Sequence, residues 1–187
     1  MTSAYSIPTL ETDRLILRGP RQSDLDSYVA YKRSERAKFT GGPIDREKAS
    51  LHFTALTGLW TLRGYGLFMA TLKTNPNDVI GGFGIIHQLF NQEEPEFGWT
   101  VYDPTFEGKG YVTEAMRTII PWAWDVMGVD TAQSHIDDGN EPSVAVARAL
   151  GATFDEKQTA IANGPGGEFD NDGPLVNIYR HHKGALQ

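Results

Sequence analysis

The sequence predicts a mixed α/β (α+β) chain in which a mostly antiparallel central sheet of about seven strands is flanked by about four helices. Three observations carry this. Strand-like segments follow one another from Gly66 to Tyr102 with only short polar links between them, a strongly striped helical segment runs from Thr113 to Met127, and further strand-like segments return after it. The whole chain of 187 residues is expected to form a single domain, because its length suits one core and no internal repeat or linker divides it.

Each element has a local reason. Thr12 to Arg18 alternates, with Leu15 and Leu17 on one side and Arg14, Ile16 and Arg18 on the other, the period of a strand. Ser23-Asp24-Leu25-Asp26 reads as a helix start, and Leu25, Tyr28, Val29 and Lys32 follow at helical spacing toward Glu35. Gly41-Gly42-Pro43 interrupts the chain; Asp45 then caps a second helix to Leu62, with Ala49, Phe53, Leu56, Leu59 and Trp60 on its apolar side. Strands over Gly66–Lys73, Val79–His87 and Glu96–Tyr102 are separated by Asn75-Pro76-Asn77-Asp78 and by the polar link Asn91–Pro95, and an antiparallel meander connects them most economically. From Thr113 the apolar residues Ala115, Met116, Ile119, Ile120, Ala123 and Met127 mark a helix buried on one side, kinked at Pro121 and ended by Gly128. A strand at Thr131–Ile136, a helix at Pro142–Leu150 ended by Gly151, and strands at Thr153–Ala160 and Leu175–His181 complete the order, with a glycine-rich polar loop from Asn163 to Gly173.

Composition removes several classes of function. The chain has no cysteine, so disulfides, thiolate metal sites and an acyl-cysteine intermediate are all excluded. Seventeen Lys and Arg against 24 Asp and Glu give a formal charge of −7, which argues against a nucleic-acid partner and mildly favours a cationic one. No apolar run approaches the ~20 residues of a membrane span, so no membrane partner is expected. Met1–Leu10 lacks the pattern of a secretory signal, and a soluble cytoplasmic protein is expected. His181-His182 would point to opposite sides of a strand, and Asp170-Asn171-Asp172 lacks calcium-loop spacing, so no metal is expected. Trp60, Trp122, Trp124 and Phe53 read as packing residues.

The chemistry concentrates where a strand ends at Tyr102, a loop carries Gly108-Lys109-Gly110, and a helix begins near Tyr111-Val112-Thr113. Free N–H groups at a helix start, the positive end of its dipole, and glycines that admit close approach together make an anion site suited to a pyrophosphate. The chain has neither a G-x-x-x-x-G-K-[ST] loop nor a complete G-x-G-x-x-G after an early strand, which sets aside nucleoside triphosphate and dinucleotide sites.

The segments Leu10–Arg18, Arg63–Gly66, Ile80-Gly81-Gly82, Glu96–Trp99, Gly108–Ala115, Asn140–Ser143 and Leu150-Gly151-Ala152 occur in an order that resembles the GNAT superfamily of N-acetyltransferases, especially its RimJ/RimL-like branch, over roughly residues 10 to 155. The resemblance implies a GNAT-like fold and transfer of an acetyl group from acetyl-CoA to a primary amine, a protein N-terminus or a small amine. It implies that Gly108, Lys109, Gly110, Tyr111, Val112 and Thr113 hold the CoA pyrophosphate, that Trp99, Thr100 and Val101 pair with the pantetheine arm, and that Asn140 holds pantetheine or product. The superfamily pattern prefers Gln or Arg at Glu107 and Gly or Ala at Val112. A like charge and added bulk there are expected to weaken CoA binding, and motivate a second reading, a non-catalytic CoA-binding or regulatory module of the same fold.

Direct attack in a ternary complex is the expected chemistry, with a carboxylate taking the proton of the ammonium. Glu96 is the first candidate; Glu93, Glu94 and His87 are alternatives, and any of the carboxylates also fits a solvated link residue. A backbone N–H at Trp99 or Thr100 is the expected oxyanion donor. Ser143, from the Asn-x-x-Ser resemblance, is expected to contact the leaving sulfur or the amine, and equally suits an ordinary first-turn residue; for Asn140 the functional role is favoured over that of an ordinary helix cap. A monomer or homodimer is expected.

Overall fold

A computed structural model describes residues 6–87 and 94–186. Among the described residues eight strands form one sheet in the order β1-β2-β3-β4-β5-β6-β8-β7. They are β1 (Leu10–Glu11), β2 (Leu15–Arg18), β3 (Leu67–Leu72), β4 (Asn75–Ile86), β5 (Glu96–Val101), β6 (Thr131–Asp137), β7 (Thr153–Phe154) and β8 (Val176–His182). The helices are α1 (Leu25–Lys32), α2 (Arg46–Arg63), α3 (Tyr111–Met127), α4 (Glu141–Ala149) and α5 (Glu156–Asn163), joined by short 3-10 turns at Gln22–Asp24, Glu35–Thr40 and Pro104–Phe106. Neighbouring strands are antiparallel except β5 and β6, which run parallel because α3 crosses between them.

Strand alternation divides the core. Along β3, Phe68 and Ala70 are buried with α3 residues Met116, Ile119 and Ile120 on one side of the sheet. Leu67 and Met69 are buried with Tyr28 and Val29 of α1 and Phe53 of α2 on the other. The sheet is therefore covered on both sides, which explains why β3 reads as a nearly continuous apolar run rather than an alternating one. Trp60, Trp124 and Phe53 are buried packing residues, and Trp122 packs at the edge of the main core.

Several expectations need correction. The first predicted strand is a hairpin: Leu10 faces Leu17 across β1 and β2, and Thr12–Arg14 make the reversal, with the Thr12 N–H donating to the Leu15 carbonyl and the Leu15 N–H to the Thr12 hydroxyl. Ser23 does not cap α1. The Asp24 carboxylate instead accepts from the Arg21 N–H at 2.7 Å and from Arg18, so the chain turns through a 3-10 segment before the helix. The predicted separator Asn75–Asp78 belongs to β4, where register shifts opposite Thr71 and Leu72 absorb the extra residues. The segment Thr153–Ala160 is only briefly a strand. Asp155 accepts from the Gln158 N–H at 2.9 Å and starts α5, burying Ala162, so a side-chain cap redirects the chain into a helix. Asp45 caps α2 by accepting from the Lys48 N–H, and α3 continues through Pro121 to a left-handed Gly128, as the sequence suggests.

One buried ion pair fixes where β2 delivers the chain to α1. Arg18 donates to both carboxylate oxygens of Asp24 at 2.8 and 2.7 Å, and the two side chains are 6% and 1% exposed. Removing one partner leaves a buried charge without its counter-ion. Asp24→Ala is expected to lower unfolding free energy by ~3–5 kcal/mol in urea titration. Asp26→Ala, which removes the solvent-exposed pair with Arg46, should cost less than about 1 kcal/mol.

Candidate active site

The site originates where β5 leaves its neighbour. Strands β4 and β5 pair along the whole length of β5, whereas β5 and β6 share only the partners Glu96 and Gln133 before they part. The Tyr102 N–H donates to the Ile80 carbonyl at 2.9 Å, and the antiparallel register then alternates. Gly98 and Thr100 turn their backbone groups toward β4; Trp99 and Val101 turn theirs into the opening. Of the two expected oxyanion donors, only the Trp99 N–H therefore faces the opening, and Thr100 reaches it by its side chain alone.

Two clefts converge there. The first, about 830 Å³, runs past Val101, Gly108, Gly110 and Thr113 to Pro142 and Val146. The second, about 660 Å³, lies between α1–α2 and the sheet and contains Glu96, His135 and Lys32. Trp99, Thr100, Asn140 and Ser143 line both.

The first cleft offers backbone donors. Gly108 (φ 68°) and Gly110 (φ 76°) occupy left-handed conformations, and Gly110 caps α3. That conformation turns the chain directly into the helix, so Tyr111, Val112 and Thr113 present first-turn N–H groups that have no partner within the helix. Lys109 holds its ammonium 5.6 Å from the Phe106 ring centre. Glu114 anchors the turn from behind. It accepts from the Arg14 N–H at 2.9 Å, from Arg14 Nε at 2.6 Å and from the Thr12 hydroxyl, and the Arg14 guanidinium lies 4.4 Å from the centre of the Tyr111 ring. Burial works to raise the Glu114 pKa, but these donors hold it below the ordinary value.

Glu107 does not stand as an isolated negative charge. Arg36, from the 3-10 turn after α1, donates to its carboxylate and also to the Val101 and Tyr102 carbonyls, at 3.0 and 2.6 Å. The like-charge expectation is corrected by that partner. Val112 is half-buried against the main core and retains its place on the first turn.

At the junction, Asn140 caps α4, its side-chain oxygen accepting from the Ser143 N–H at 3.4 Å. Among the described residues, no other side chain or backbone group bonds the Ser143 hydroxyl or the Asn140 amide N–H groups.

In the second cleft the Glu96 side chain is only 16% exposed. Burial pushes its pKa up to about 8, with a nearby Glu168 adding to the rise and the His135 backbone N–H opposing it. The His135 ring lies 3.6 Å from the carboxylate, beyond hydrogen-bond length, and its buried Nε2 has no hydrogen-bond partner among the described residues. Burial lowers the His135 pKa to about 4, with Arg180 adding to the shift and Glu94 opposing it, so its ring is neutral at pH 7.

The alternatives to Glu96 are placed elsewhere. Glu94 pairs with Arg180 and accepts from the Thr131 hydroxyl at 3.0 Å, Glu93 and most of the Asn91–Pro95 link lie outside the described residues, and His87 bonds the Tyr65 hydroxyl at 2.8 Å. His181 is buried against Ser134, with Nε2 3.0 Å from its hydroxyl, while His182 is exposed. Among the described residues no group of three or more metal-ligating side chains forms, and no helix is long and apolar enough to cross a membrane. Sequence reasoning missed His135, Lys32 and Arg36. His135 stands two positions beyond the β5 partner Gln133, a relation visible only once the parallel pairing is known.

A family model described as an acetyltransferase (GNAT) domain matches residues 14–153, and the chain belongs to that family. The crystal structure of an acetyltransferase from Agrobacterium tumefaciens is similar to it with a TM-score of 0.79 and 32% identity, over 97% of this chain and 98% of the other. RimL, a ribosomal-protein alpha-N-acetyltransferase solved in complex with coenzyme A, shares the fold, with a TM-score of 0.69 and 20% identity over 94% of this chain and 97% of the other. The uncharacterized N-acetyltransferase YnaD of Bacillus subtilis is 27% identical over 74 residues, a stretch covering 40% of this chain and 43% of that one.

The raised Glu96 pKa carries a consequence for stability. The carboxyl ionises near 4.5 in the unfolded chain and near 8 in the folded one, so the folded state keeps its proton longer and loses relative stability as pH rises between those values. Glu96→Gln removes that loss. The two proteins should unfold at similar urea concentrations below pH 4.5, with the variant gaining about 1.4 kcal/mol for each pH unit of the window in paired urea titrations.

Proposed function

We propose that this GNAT-family chain is an acyl-CoA-dependent N-acetyltransferase that moves an acetyl group from acetyl-CoA to a primary amine. The observation that carries the reading is the meeting of two clefts at Trp99 and Ser143: one is lined by backbone donors suited to a diphosphate and the other contains a buried carboxylate. In this reading Gly108, Lys109, Gly110, Tyr111, Val112 and Thr113 hold the pyrophosphate by their backbone N–H groups. The pantetheine arm lies in the opening between β5 and β6, pairing with the outward backbone groups of Trp99 and with the outward N–H of Val101, whose carbonyl already accepts from Arg36, beside Thr100 and Asn140. The Arg36 pairing of Glu107 supports this assignment, because it removes the bare negative charge from the edge of the cleft.

The acceptor enters the second cleft as an ammonium. Glu96, once ionised, takes its proton, and the amine nitrogen attacks the thioester carbonyl. The C–N bond forms while the Trp99 N–H donates to the oxygen that gains charge. The C–S bond then breaks, the nitrogen gives up its second proton as the amide forms, the thiolate takes up a proton so that CoA leaves as the thiol, and in this reading the Ser143 hydroxyl donates a hydrogen bond to the departing sulfur. Proximity and orientation of the two bound reactants supply much of the rate, and no covalent enzyme intermediate is needed. The acceptor class extends from a small amine to a protein N-terminus, the latter favoured by the RimJ/RimL-like segments of the sequence.

Turnover of acetyl-CoA with an amine panel tests this reading. Glu96→Gln should lower kcat/KM by about 100-fold or more, and Ser143→Ala by less. With a pKa near 8, Glu96 is mostly protonated at pH 7, so the ratio of wild-type to Glu96→Gln activity should climb with pH and level off above about 8. The ionisation of the amine itself affects both proteins alike and cancels in that ratio. A ratio independent of pH would remove Glu96 from the role of base.

A further inference from the structure

The second cleft contains a charge that acetyl transfer alone does not require. Lys32, on the last turn of α1, is 2% exposed and lines the cleft that contains Glu96. Its ammonium donates to the Thr40 carbonyl and, among the described residues, makes no ion pair. Burial lowers its pKa, and no carboxylate acts to raise it. His52 of α2 stands at the same cleft, its Nδ1 2.8 Å from the Tyr28 hydroxyl, and its protonation is disfavoured first by the surrounding protein and then by the Lys32 charge. Lys32 thus disfavours a second charge at His52, and among the described residues no anion balances it.

Elsewhere this fold balances its buried charge. Arg18, also buried, has Asp24 on both terminal guanidinium nitrogens. An ammonium taken out of water without a counter-ion costs several kcal/mol, and an apolar residue of similar size would occupy the same place without that cost. Lys32 also has two further N–H donors for one protein acceptor already engaged. A cavity wall with an unbalanced cation and free donors is complementary to an anion that arrives with the ligand.

We infer that the acceptor is a primary amine carrying a carboxylate on the same molecule, with Lys32 as the counter-ion of that carboxylate and Glu96 facing the amine. The inference rests on the acetyl-transfer reading for the placement of the amine and on Lys32 alone for the anion. The hydroxyls of Tyr31 and Thr40 line the same cleft but bond each other at 2.9 Å and the Arg36 and Ala37 carbonyls, which leaves the anion to the ammonium of Lys32. A neutral alkylamine would leave Lys32 unbalanced, so the site discriminates by charge as well as by shape.

The test compares glycine, β-alanine and γ-aminobutyrate with their carboxamides, and an alanyl-aspartyl peptide with its alanyl-asparaginyl counterpart, as acceptors and by calorimetric titration without acyl-CoA. For at least one pair, kcat/KM and affinity should favour the carboxylate roughly tenfold or more in the wild type, and Lys32→Met should bring both ratios near one. A preference confined to the peptide pair would place the carboxylate on a protein substrate, and one confined to the small pairs on a free amino acid; either supports the inference. Acetylation of acids and amides at equal rates would overturn the inference while leaving acetyl transfer intact. Carboxylate binding that depends on Lys32 without any turnover would do the reverse. Ratios near one in the wild type need no variant to read, so a Lys32→Met protein that failed to fold would not shelter the claim.

Discussion

The parting of β5 from β6 is the constraint on which the rest of the site depends. Two parallel strands that paired along their whole length would bond the backbone groups of Trp99 and Val101 into the sheet. Here the pairing stops after Glu96 and Gln133, while the opposite edge of β5 stays fully paired with β4. The outer edge of a central strand is thereby exposed inside the molecule at Trp99, whose backbone groups an extended, amide-bearing ligand can satisfy as a further strand would, while the Val101 carbonyl already accepts from Arg36. The crossover helix α3 follows β5 after the 3-10 turn Pro104–Phe106 and the glycine-bearing loop, so the same departure that opens the sheet also brings the first turn of a helix to the opening. Sheet edge and helix start are two consequences of one topology.

Burial then sets the chemistry of the second cleft. Glu96 and His135 sit side by side, and each is driven toward its neutral form because the surrounding protein replaces water more than the pair compensates. A carboxyl group held near 8 is a poor base in acid and a strong one when ionised, which suits proton removal from an ammonium that itself loses its proton reluctantly at neutral pH. The other charges are handled differently. Glu107 is paired with Arg36 and Asp24 with Arg18, while Lys32, among the described residues, has no carboxylate partner. The contrast is what makes Lys32 informative: a fold that pairs its other buried charge leaves this one facing a cavity.

Much of this arrangement was legible in the sequence, because it rests on local signals. The stripe of α3, the cap at Asp45, the glycine that ends α3, and the parity that puts Glu96, Gly98 and Thr100 on one side of β5 all follow from spacing within a few residues. The failures have a common cause. Thr12–Arg14 and Thr153–Ala160 contain alternating or β-branched residues, and side-chain hydrogen bonds from Thr12 and Asp155 decide the outcome over propensity. Asp155-Glu156-Lys157-Gln158 is a capping sequence that could have been read, but strand-like Thr153 and Phe154 stand directly before it. Arg36, Lys32 and His135 were beyond reach for another reason. Their roles arise from contacts with Glu107, with the cleft and with Glu96, separated by tens of positions in the chain, and nothing in their own neighbourhoods marks them.

The central claim is that the opening between β5 and β6 and the turn into α3 together receive an acyl-CoA. Isothermal titration of the wild-type protein with acetyl-CoA tests it most directly, paired with Gly110→Val, which forces a β-branched residue into the left-handed conformation at the start of α3. The account predicts saturable binding at one site in the wild type, and binding weakened at least tenfold in a variant that remains folded by circular dichroism. Absence of acetyl-CoA binding to the wild type, or undiminished binding to the folded variant, would contradict it.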